Sequence, residues 1–111
     1  MKTEERRSAC PVACTLDIIG DKWTMIIVRD LLMGHEKYND FLASGEKITT
    51  NILSDRLKRL ESEGLIGKEL YQDNPPRYRY FLTGKGRDLA PLMKAMVSWA
   101  LKYKEEVTRS K

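Results

Sequence analysis

Histidine and cysteine are almost missing from this chain: its 111 residues include one histidine, His35, and two cysteines, Cys10 and Cys14. Three such side chains fall short of a closed zinc site unless carboxylates or a second chain complete the ligand set. No metal or other cofactor is therefore expected. Two cysteines also argue against a secreted, disulfide-stapled domain and for a reducing compartment. Long apolar runs are absent as well. The longest, such as Met25 to Val28, fall far below the roughly 20 residues that cross a bilayer. The N-terminus lacks the basic start, apolar stretch and small-residue cleavage site of a leader. A cytoplasmic protein with no membrane partner is expected. No Gly/Ser/Pro-rich linker, repeat or low-complexity segment divides the chain, which points to one domain. Catalytic groupings are scarce too. His35 has no second histidine to pair with, and TGKG at 83–86 is followed by Arg87, without the spacing or the Ser/Thr of a phosphate-binding loop. An enzyme is not expected; a cysteine-based redox enzyme survives only as a formal alternative.

What is present is a globular composition, with 41% hydrophobic and 32% charged residues. The formal charge of +4 permits a polyanionic partner without requiring one. Residues 1–9 are polar and read as a flexible arm. Pro11 opens a helix over Cys10 to Ile19, and Gly20 interrupts it. Asp21 caps a second helix, about Lys22 to Met33, in which Trp23, Ile26, Ile27 and Leu31 recur at helical spacing until Gly34. A short amphipathic helix follows over Lys37 to Ala43. Thr49 is the N-cap of a longer one that runs to about Glu63, where Gly64 ends it. From Leu65 the apolar period becomes two: LIGKELY and YRYFLT, joined by QDNPPR, form a hairpin. Thr83 then caps a last helix, about 84–103, and 106–111 form a flexible tail. This order predicts a mainly α fold with a β-hairpin wing (α+β), a winged helix-turn-helix over residues 10–105.

The helix in ITTNILSDRLKRLESEGLI backs onto Leu53, Leu57 and Leu60, while Asn51, Ser54, Asp55 and Lys58 face away, with Thr50 on their flank. Short hydrogen-bonding residues are mediocre helix formers but suit a helix that lies in a major groove and reads base edges. Thr49, Thr50, Asn51, Ser54 and Lys58 are the candidate contacts to double-stranded DNA. Asp55 fits poorly beside phosphate. Charges over Thr49 to Glu63 cancel, so phosphate affinity has to come from elsewhere. Arg77 and Arg79 on one face of the second strand supply part of it. The plainer alternatives are an ordinary first helical turn and solvent-facing charges that protect an edge strand. In the last helix Leu89, Leu92, Met93, Met96, Trp99 and Tyr103 make a seam of coiled-coil spacing, suited to a homodimer or else folded onto the core. A two-fold dimer would meet an inverted repeat.

CPVACTLDIIGDKWTMIIVRDLL, KYNDF, LSDRLKRLESEGLI and PPRYRYFLTGKG, in that order, make the chain similar to the HxlR-type winged-helix transcriptional regulators, relatives of the MarR group. The resemblance runs from about Cys10 to Trp99. It implies a DNA-binding homodimer that represses or activates nearby genes, with Lys37 at a DNA-backbone contact. Two positions depart from the pattern: Asp21 stands where glycine is common, and Lys37-Tyr38 where Arg-Phe is more usual. The resemblance also puts Cys10 at the family's N-terminal cysteine, which some relatives use to sense oxidants or small electrophiles. A buried packing thiol is the alternative for Cys10. For the whole chain, the alternative is a winged-helix module that binds protein rather than DNA.

Overall fold

The computed structural model describes residues 9–109 of the chain. The element order is α1 (Pro11–Ile19), α2 (Thr24–Leu32), α3 (Tyr38–Leu42), α4 (Thr50–Ser62), β1 (Ile66–Gln72), β2 (Arg77–Leu82), α5 (Gly84–Arg87), α6 (Ala90–Lys102) and α7 (Lys104–Arg109). This is a winged helix-turn-helix. Pro11 occupies the first turn of α1, where its missing N–H costs nothing. Asp21 acts at the head of α2, though the helix starts two residues later than its spacing suggests. Its carboxylate accepts from the Thr24 amide at 3.3 Å and from the Thr24 hydroxyl, so 21–23 remain a turn outside the helix. Thr49 caps α4, its hydroxyl accepting from the Ile52 amide at 3.3 Å. Gly64 ends it with φ +77°, a left-handed conformation that a side chain would oppose.

The core forms where the inner faces of α2, α3 and α4 meet the base of the hairpin. Leu53, Leu57 and Leu60 are 0%, 3% and 2% exposed, packed with Ile27, Val28, Phe41, Leu65, Ile66 and Leu82. Strands β1 and β2 pair antiparallel from Ile66↔Leu82 to Gln72↔Arg77, with an irregularity between Leu70 and Gln72 that leaves Tyr71 out of the ladder. The outer edge of β2 is not bare. Its Tyr80 amide donates to the Glu36 carbonyl at 2.8 Å, and Lys37 bridges to Arg79. The stretch before α3 therefore pins the wing to the helical body and covers part of an edge that would otherwise be sticky.

The single last helix expected over 84–103 is interrupted. Pro91 lacks the N–H that would bond to the Arg87 carbonyl, and its ring would collide with that carbonyl. The chain therefore closes a one-turn α5, capped by Thr83, and restarts as α6 with Pro91 in the first turn. A second break falls at Tyr103, and residues 104–109, mostly assigned to a flexible tail, are helical. Of the flexible arm expected over 1–9, residues 1–8 lie outside the described residues, as do 110 and 111 of the tail. Only the start of α6 meets the core. Leu89 and Met93, expected in the seam between subunits, pack half-buried against it, whereas most later side chains of α6 are exposed. Among the described residues, no helix is long and apolar enough to cross a membrane.

Candidate nucleic-acid interface

The outward face of α4 carries Thr50, Asn51, Ser54 and Lys58, all exposed, with Thr49 exposed at the cap. The buried leucine stripe fixes this: at 100° per residue, the residues opposite the leucines must point to solvent. Asp55, awkward next to phosphate, is turned sideways. Its carboxylate lies 2.6 Å from Arg56 Nη1, and Arg56 Nε donates to Asp21 at 2.8 Å. Asp21 of the α1–α2 turn is thus tied to α4 by a half-buried ion pair. Burial pushes the Asp21 carboxyl upward, but hydrogen bonds from Thr24 and Arg56 and the Arg56 charge outweigh it, so its pKa lies below the usual value. The hydrogen bond to Asp21 and its charge, with those of Asp55, hold Arg56 above its ordinary pKa against the opposing effect of burial.

Sequence reasoning missed Tyr38. From the head of α3 its hydroxyl donates to the Thr50 carbonyl at 3.0 Å and lies 2.8 Å from Ser54 Oγ. No periodicity signals such a bond between two elements. The wing is divided in its chemistry. Arg77 is exposed, whereas Arg79 is held at 3.1 Å from Glu36 and 3.5 Å from Glu69. Tyr71, out of the ladder, lies under both Arg79 and Lys37, whose Nζ is 4.7 Å from its ring centre. Between α3 and the wing is a cleft of about 530 Å³ edged by Lys37, Tyr38, Tyr71 and Arg77. The structure thus brings Thr49, Thr50, Asn51, Ser54 and Lys58 onto one helix face and sets Lys37 and Arg77 beside the wing cleft. It engages Arg79 with carboxylates, so the two wing arginines are not equivalent.

A second surface lies apart from α4. An apolar groove of about 980 Å³ runs between α1, α2 and α6, lined by Val12, Leu16, Met25, Ile26, Met93 and Met96. Beside it Trp99 is 63% and Leu101 62% exposed, large side chains that a solitary subunit would leave in water. The contribution of α1 was also unread, although Val12 and Leu16, four apart, share a helix face.

The HxlR-like helix-turn-helix family model matches residues 18–108. The chain belongs to that family. Among relatives of this HxlR-like chain is the HTH-type transcriptional regulator YdeP of Bacillus subtilis (strain 168), 41% identical over 100 residues, 90% of this chain and 78% of YdeP. Another from the same organism, YybR, is 37% identical over 93 residues, 84% of this chain and 74% of YybR. Among solved structures, the redox regulator HypR in its reduced form superposes with a TM-score of 0.79 at 34% identity, covering 92% of this chain and all of that one (100%). The oxidized form of HypR gives 0.75 at 36% identity, covering 84% and 96%. This HxlR-like protein is a transcriptional regulator of the helix-turn-helix type.

Proposed function

We propose that this regulator is a homodimer that binds double-stranded DNA sequence-specifically at an inverted repeat, to repress or activate the adjoining gene. One observation carries the reading: the first two turns of a leucine-backed helix expose the short polar side chains of Thr50, Asn51 and Ser54 on the side of the wing cleft where Lys37 and Arg77 are exposed. In a major groove, Asn51 can pair bidentately with adenine, Thr50 can bond several base edges, Ser54 can bond a facing base, and Lys58 reaches guanine or phosphate. Arg77 and Lys37 serve as phosphate anchors. Arg79, committed to Glu36 and Glu69, chiefly braces the wing and meets the backbone with its remaining donors. The exposed side of α6, with Leu92, Met96, Trp99 and Tyr103, and the groove against α1 fit a second copy, so that two α4 helices enter successive major grooves about 34 Å apart. Oxidant or electrophile sensing at Cys10 belongs to the same proposal. Its supports are an exposed Cys10 at the head of α1, next to the groove residue Pro11, and the likeness to HypR.

Selection of bound duplexes from a random library tests it. The expected result is an inverted-repeat motif whose affinity falls steeply with added salt, as displaced counterions require. Failure to enrich any sequence, with binding indifferent to salt, would make the chain a protein-binding module instead. A Cys10→Ser variant should bind the motif as the parent does but lose any response to a thiol oxidant.

A further inference from the structure

The Tyr38 hydroxyl sits between two oxygens of α4 and has only one proton to share. The Thr50 carbonyl cannot donate, so the 3.0 Å bond to it uses that proton. The 2.8 Å contact with Ser54 Oγ must then run the other way, with Ser54 donating to Tyr38. A serine hydroxyl also has one proton. Ser54, exposed on the outer face of α4, therefore turns only lone pairs outward. Resting on the DNA-reading function above, we propose that Tyr38 is a specificity-determining residue: it makes Ser54 an obligate acceptor, so that the base facing Ser54 is selected for an exocyclic amine.

The four bases divide cleanly on this criterion. At corresponding places in the major groove adenine offers N6–H₂ and cytosine N4–H₂, both donors, whereas guanine offers O6 and thymine O4, both acceptors. A serine able to rotate accepts from the first pair or donates to the second and hardly distinguishes them. Ser54 can donate to a keto oxygen only by giving up its bond to Tyr38, which water at this exposed site partly replaces. The discrimination is thus of the order of one net hydrogen bond, about fivefold in affinity.

The test uses the full chain and its selected operator, with each base pair replaced in turn by the other three. For the parent protein, one base pair per half-site should favour adenine or cytosine on the facing strand over guanine or thymine by about fivefold, and Ser54→Ala should flatten the profile at that pair. In Tyr38→Phe the amine preference there should shrink to less than about twofold while preferences elsewhere persist. A keto preference in the parent at the pair flattened by Ser54→Ala would overturn the proposal whether or not Tyr38→Phe folds. So would an unchanged preference in Tyr38→Phe accompanied by uniform weakening, which would make Tyr38 merely structural. Absence of any selected operator would instead defeat the DNA-reading function itself, and this proposal with it.

Discussion

Replacement of Asp21 by asparagine isolates one charge at the joint between the α1–α2 turn and α4. The side chains of Asp21 and Arg56 are 22% and 21% exposed and meet at 2.8 Å. A hydrogen bond to a charged group at such a site contributes about 1.5–3 kcal/mol, a neutral one about 1. The asparagine would keep the shape and, with its oxygen turned to Arg56, could still accept from Arg56 and from the Thr24 hydroxyl while its NH2 faces the Thr24 amide, and Arg56 would keep Asp55 at 2.6 Å. The net loss, the difference between the two, should therefore be about 1 kcal/mol, or roughly 4–6 °C in Tm at fixed protein concentration. The pH dependence supplies an internal control. The folded-state pKa of Asp21 lies below its ordinary value of 3.8, so its stabilisation is fully present above that value. It is lost as pH falls through the lower folded-state pKa. Urea denaturation of parent and Asp21→Asn at about pH 7, 5 and 2.5 should show a constant gap at the first two and a shrinking one at the third. Equal stabilities at neutral pH would refute the ion pair's contribution. An undiminished gap in acid would assign the loss to shape rather than charge.

Other outcomes follow from the same structure. Met96→Glu with Trp99→Glu changes side chains that are 47% and 63% exposed, so sedimentation should reveal a folded monomer in place of a dimer, with DNA affinity sharply reduced. Asn51→Ala should weaken binding to the selected operator by about 1–3 kcal/mol and hardly affect random DNA. Arg77→Ala should weaken both alike and lower the salt slope by about one, both read from binding isotherms across a salt series. A Cβ at Gly86 would lie 2.1 Å from the Leu65 carbonyl oxygen; Gly86→Ala should cost about 1–3 kcal/mol in chemical denaturation, because backbone rather than a flexible side chain must yield.

Repeating chemistry was the legible part of this fold. The stripe of Leu53, Leu57 and Leu60, the Thr49 and Thr83 caps, the stop at Gly64 and the switch to period two at Leu65 are local signals, and each element stands close to where they put it. The break before α6 was also written locally, in Pro91, but the long apolar seam around it masked a one-residue interruption. Arg77 and Arg79 show the opposite case. Two residues apart on one strand they read as a matched pair, yet Glu36 and Glu69 arrive from other elements to engage only the second.

Side-chain periodicity by itself determined that there would be a polar-faced helix backed by leucines and followed by a hairpin, because helix and strand repeats depend on neighbours in the chain. Only the tertiary structure decided how that face is chemically tuned. Asp21 lies 35 residues from Arg56, and Tyr38 lies 16 residues from Ser54. Hydrogen bonds of a few ångströms between such distant positions exist only once packing has brought their elements together.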